Sequence, residues 1–283
     1  METDLHAEGR ERFEQAVTAL ADTLPRARVA RFWEAVATYD SGRQSDRARY
    51  AAELAVNMHA ATGESRAHYY ALTQLAFNCR GDDRAARAAT ALARQLENPT
   101  WPARLLTQGA LTEGSLLMSY GELIEARAAY QRAVRFALHV SERQALAASA
   151  CVVELDLASG ELAAALLLGR PLTQSLRHAG RRETRFDLLV VVFGALLLAG
   201  EMAEARAIGA ELYDLALRFD SSKLYMALEV MAYLACVEQR YAAAARIATC
   251  ADAAHERHGQ LRRPARSRSD SLPEKRAASI PFS

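Results

Sequence analysis

Gly121-Glu-Leu-Ile-Glu-Ala-Arg127 decides the reading of this 283-residue chain, because it returns almost unchanged as Gly200-Glu-Met-Ala-Glu-Ala-Arg206. A looser copy, Gly160-Glu-Leu-Ala-Ala-Ala165, lies between them; Gly81-Asp-Asp-Arg-Ala-Ala86 falls in the same frame upstream, and Gly42 precedes it. These starts are 39 or 40 residues apart throughout. A sixth frame is expected near position 240, where Gln239-Arg-Tyr-Ala-Ala-Ala-Ala245-Arg246 keeps the Ala-Arg ending without the glycine. Self-similarity at a fixed period marks a repeat array, in which each unit buries its apolar face against its neighbours.

The repeat unit is helical. Few prolines and aromatics, abundant Ala, Leu and Arg, and no alternating Val/Ile/Thr runs predict an all-α protein. Each frame is expected to place one helix before its glycine and one after it. The first helices are predicted over 27–40, 64–79, 103–119, 143–158, 183–198 and 222–238; the second over 44–61, 83–96, 122–139, 161–178, 201–218 and 241–258. Breakers stand between pairs: Thr62-Gly63, Asn98-Pro99, Gly180 and Asp220-Ser-Ser.

Glycine at the turn ends a helix in the left-handed conformation, which costs it no steric clash, and the acid that follows faces the positive end of the next helix. Asp82, Glu122, Glu161 and Glu201 occupy that place. Ala86, Ala126, Ala165 and Ala205, five residues after each glycine, are expected where two helices cross closely. The stretch from Asp187 to Ala199 is apolar almost all round and predicts burial on both sides, whereas Asp252, His255, Glu256 and His258 give the last helix a polar face suited to a cap.

A helix over 4–23, stopped by Pro25, has no partner helix before it, so the array is expected to begin in mid-repeat. One repeat domain is expected over 1–261, with the paired repeats starting near 26, and a disordered tail over 262–283. Residues 261–283 carry a charge of +4 against −3 for the rest, so the body has no electrostatic footprint for nucleic acid. Cys79, Cys151, Cys236 and Cys250 lie in apolar stretches at irregular spacing, which predicts buried free thiols in a reducing compartment. No signal-peptide pattern opens the chain, and the longest apolar run, Leu188 to Ala199, has 12 residues, too few to span a bilayer. A cytoplasmic protein without membrane contact is expected.

A helix pair with glycine at its turn and a small residue later in the second helix resembles the tetratricopeptide repeat, whose usual period is 34. Leu117, Gly121, Ile124 and Ala133 match successive motif positions; Gly160 is followed by Ala163 and Leu172, and Gly200 by Ala203 and Leu212. The resemblance implies an α-solenoid, a right-handed superhelix of about six such pairs. The longer period and the endings Tyr241-Ala-Ala-Ala-Ala-Arg-Ile and Ala251-Asp-Ala-Ala-His-Glu-Arg-His-Gly are similar to the carboxy-terminal sensor arm of bacterial signal-transduction ATPases, including maltose-regulator-type transcriptional activators. No phosphate loop of the Gly-x-x-x-x-Gly-Lys-Ser/Thr kind occurs, so the resemblance implies an isolated or truncated sensor arm. Inner-helix positions that face ligand in such repeats map, through the glycines, onto Asn78, Ser115, Met118 and Glu154. They imply a groove for a protein, a peptide or a small effector.

Residues bearing chemistry gather poorly. His255 and His258, with Cys250 and Asp252, lack the ligands to complete a four-coordinate metal shell. Glu154 and Asp156 point to different faces of one helix, and Glu122 and Glu125 belong to a first turn where acids suit the helix dipole. No Gly-x-Ser-x-Gly elbow occurs. The sequence therefore predicts an interaction or effector-sensing module without enzymatic activity, metal or cofactor.

Overall fold

The computed structural model describes residues 23–257 apart from 42–45, 80, 180 and 220–222, together with isolated residues between 12 and 19. Most of the helix expected over 4–23, the tail over 262–283, Gly42 and His258 lie outside the described residues. Among the described residues there are twelve helices and no strand, following one another in pairs as a solenoid's repeats do. The pairs are α1 (Arg26–Asp40) with α2 (Asp46–Thr62), α3 (Ser65–Asn78) with α4 (Asp83–Leu96), α5 (Ala103–Ser119) with α6 (Leu123–Leu138), α7 (Glu142–Ala158) with α8 (Leu162–Ala179), α9 (Arg182–Leu198) with α10 (Met202–Phe219), and α11 (Leu224–Val237) with α12 (Tyr241–Arg257). The expected bounds agree within two residues at every end. They fall into two compact units, with the division after Ala148, inside α7.

The turn glycines do what their spacing predicts. Gly121, Gly160 and Gly200 each have φ of +78°, and Gly81 has φ of +107°. At Gly121 the Glu122 amide donates to the Leu117 carbonyl at 2.9 Å and the Gly121 amide to Met118 at 3.1 Å, a Schellman turn that satisfies two terminal carbonyls. The same bonds recur after α7, from Glu161 to Asp156 at 2.8 Å, and after α9, from Glu201 to Leu196 at 2.9 Å. The sixth frame keeps the turn without the glycine: Gln239 takes φ of +61°, and the Arg240 amide donates to Ala235 at 2.8 Å.

The acids after the glycines have a second task. Asp82 does cap its helix, its Oδ1 accepting from the Ala85 amide at 3.1 Å, but the Glu122 side chain makes no such bond. Asp82, Glu122 and Glu201 each receive an arginine from the preceding second helix. In the first unit Arg49 pairs with Asp82 at 3.0 Å and Arg87 with Glu122 at 2.5 Å. In the second, Arg170 holds Glu201 at 2.5 Å and Glu204 at 2.7 Å, and Arg206 holds Glu238 at 2.5 Å. The Ala-Arg ending that marks the frames thus supplies a packing residue and, in Arg206, a cation for the next turn. Ala86, Ala126, Ala165 and Ala205 are all fully buried.

In the first unit Tyr69, Leu72 and Leu116 pack with Ala86, Ala89 and Ala93. Two helical glycines of α5 make room for tyrosines. A Cβ on Gly109 would stand 1.8 Å from Tyr69 Oη, and one on Gly114 2.6 Å from the Tyr130 ring. Between them Glu113 joins α5 to both neighbours, accepting from Arg94 Nε at 2.9 Å and from Arg132 at 2.5 Å. In the second unit Leu188, Leu189, Val192 and Leu196 are buried on adjoining faces of α9, as its all-round apolar sequence predicts, and Ala251 and Ala254 form the buried side of α12.

One sequence expectation needs correction. Only Cys79 is buried; Cys151 is partly covered, and Cys236 and Cys250 are exposed, because they lie on the unpacked outer faces of the final helix pair. Ile124 is 83% exposed, so that motif position contributes nothing to the core, while Ala133 and Leu212 one turn or more beyond it are fully buried.

Candidate functional site

Within the first unit a cavity of about 620 Å³ opens where α1, the α2–α3 turn, the start of α3 and the approach to α5 meet. It is open to solvent, and Arg31, Glu64, Ser65 and Arg66 along it are exposed. Gly63, with φ of +71°, turns the chain sharply into Glu64, and the first turn of α3 follows along one wall. Arg31 and Glu34, one turn apart on α1, face it; Tyr70 of α3 and Leu105 of α5 form the apolar side.

Glu34 is the floor of this space. Its side chain is 14% exposed, and its Oε1 lies 2.8 Å from Nε2 of His59, which is fully buried on α2. The two atoms touch without the alignment of a hydrogen bond, and His59 Nδ1 has no partner. Burial decides both protonation states. It pushes Glu34 up to about 7, with partial relief from the nearby Arg31 cation. It lowers His59, which is therefore the neutral imidazole at pH 7 and brings no charge to Glu34. Glu34 is thus poised to gain or lose its proton near neutral pH.

The residues expected to line a groove lie elsewhere. Asn78 closes α3, its amide donating to the Gln74 carbonyl at 2.9 Å and reaching the Ala37 carbonyl of α1 at 3.5 Å. Ser115 and Met118 are half-buried one turn apart on α5, and Glu154 is exposed on the part of α7 that belongs to the second unit. None of the four lines the cavity. The cavity residues escape sequence reading because they occupy unrelated frame positions. The one local signal is His59, which ends an alanine face formed by Ala48, Ala51, Ala52 and Ala55.

Among the described residues no three His, Cys, Asp or Glu side chains gather as metal ligands, and no helix is long and apolar enough to cross a membrane. Glu154 is exposed and Asp156 buried, so this carboxylate pair does not converge. A smaller crevice beside Tyr69, Arg94 and Glu113 has room for about one water molecule.

No family model matches the chain, and no curated protein matches it. Among solved structures it is similar to the crystal structure of BtubC (BKLC) from P. vanneervenii, with a TM-score of 0.56 and 13% identity over 90% of this chain and 98% of that one. At that identity the likeness is one of fold, an all-helical, repeat-like architecture.

Proposed function

We propose that the chain is a non-catalytic binding module that receives a peptide or small effector in the cavity of its first unit. The observation that carries this reading is the cavity itself: a space of about 620 Å³ lined by ionisable and apolar side chains, in a unit whose glycines and alanines otherwise close the gaps between helices. The reading as a binding module is supported by the mixed lining, which sets Arg31, Glu34, Glu64 and Arg66 beside Tyr70 and Leu105. The finer reading, a sensor arm of a bacterial signalling or transcription regulator, is supported by the repeat phase and by the closing Tyr241 and Ala251 stretches. A stand-alone adaptor built on the same repeats would use the same site.

The test is a thermal-shift screen of peptides and small metabolites on the whole chain and on Leu105→Trp, which fills the cavity from its apolar wall. Ligands that raise the melting temperature of the natural chain, fail to do so in Leu105→Trp, and are recovered chemically unchanged are the expected result. Hits that stabilise both proteins equally would overturn the assignment of the cavity, and conversion of a hit would overturn the non-catalytic reading.

A further inference from the structure

The cavity is lined by charges of both signs, with Arg31 a partial counter-charge to Glu34. Arg31 and Arg66 form no ion pair with any described residue, and neither does Glu64. The Glu34 carboxyl lies against the neutral His59, and its buried Oε1 lacks a hydrogen bond. The start of α3 adds open donors. Glu64 precedes this 14-residue helix without capping it through its side chain, which leaves the Arg66 and Ala67 amides without acceptors beside the cavity.

A ligand of one sign answers only half of this lining. An anion would meet Arg31, Arg66 and the helix start but would face Glu34 and Glu64; a cation would meet the carboxylates against two arginines. Arg31, Glu64 and Arg66 are exposed to water and Glu34 is largely buried, so a neutral ligand would leave the charges of the lining unused. A ligand bearing both charges on a short frame leaves none unmatched. We propose that the cavity binds a zwitterion of the amino-acid type, with its carboxylate toward Arg31, Arg66 and the α3 amides, its ammonium toward Glu34 and Glu64, and an apolar side chain against Tyr70 and Leu105. This rests on the cavity being the binding site and adds the chemistry of what it holds.

Proton linkage gives a signature that a merely structural Glu34 would not. The groups facing Glu34 are Arg31 on its own helix, His59 from α2 and Glu64 from the α2–α3 turn, with His68 of α3 next to His59. None of them supplies an ammonium to the carboxyl. A ligand ammonium would, so binding near pH 7 should drive a proton off Glu34.

Isothermal titration of the whole chain with leucine at pH 7, in Tris and in PIPES, tests this against two derivatives of the same side chain. N-acetylleucine lacks the ammonium and leucinamide lacks the carboxylate. Leucine is expected to bind, each derivative about tenfold or more weaker, with proton release measured from the buffer difference. In Glu34→Gln the advantage of leucine over N-acetylleucine and the proton release should both vanish; in Arg66→Ala the advantage over leucinamide should shrink. Equal binding of N-acetylleucine means an anion site only, and equal binding of leucinamide a cation site only. Either result, or no leucine binding up to about 50 mM, overturns the proposal. If other ligands are lost on Leu105→Trp while the leucine series is silent, the cavity reading survives alone. If leucine binds and Leu105→Trp leaves that binding intact, both fail.

Discussion

At Gly109 the absence of a side chain is a packing requirement. Alanine is the better helix former by about 1 kcal/mol, yet its methyl would stand 1.8 Å from Tyr69 Oη, so Tyr69 must leave its place over α5 and its hydrogen bond to Glu97. Overpacking of this kind costs about 1–3 kcal/mol, and Gly109→Ala is expected to lower the melting temperature despite its helical propensity. Gln239 presents the opposite case. It holds a left-handed backbone that glycine adopts freely, with the same hydrogen bonds as the glycine turns after α5, α7 and α9. Gln239→Gly is therefore expected to raise stability by about 1 kcal/mol in chemical denaturation. A loss instead would mean that the Gln239 side chain contributes more than its backbone costs.

Among the helices, α8 carries an internal contradiction. Pro171 stands well inside Leu162–Ala179, where it removes one amide and clashes with the carbonyl four residues back, at Leu167. Its ring is exposed, so little packing offsets the defect. Pro171→Ala is expected to stabilise the second unit by about 1–3 kcal/mol, read as a shift in denaturation midpoint. The helices themselves were legible in the sequence because Gly121 and its copies fix the turn, Ala126 and its copies fix the crossing, and the period fixes everything between. Gln239 was legible in phase, although no residue type announced its conformation. The cavity was not legible. Arg31, Glu34, Arg66 and Leu105 share neither a frame position nor a motif, and only the meeting of three helices and a turn gives them a common space. Asn78 draws notice by its motif position; in the folded chain its Nδ2 donates to the backbone of α3 and α1, and its buried Oδ1 has no hydrogen bond among the described residues.

For the molecule as a whole, the pH dependence of stability should carry the mark of one buried contact. Between about 4.5 and about 7 the folded chain keeps a proton on Glu34 that the unfolded chain has released, so stability falls as pH rises across that window and the loss is complete above it. The size is of the order of 3 kcal/mol. His59 acts in the other sense: its folded pKa is lowered, so stability is lost as pH falls below its ordinary 6.5 and the unfolded chain alone takes up the proton. Glu34→Gln should flatten the alkaline limb of a melting-temperature curve from pH 5 to 8 and leave the acid limb in place; parallel curves would sink the assignment. The arginine ladder has a consequence of another kind. Each of these rungs reaches forward, from an arginine to an acid 31 to 35 residues further on. During synthesis each of these arginines is therefore made before its acid, so each of these pairs can form only when the following turn has left the ribosome.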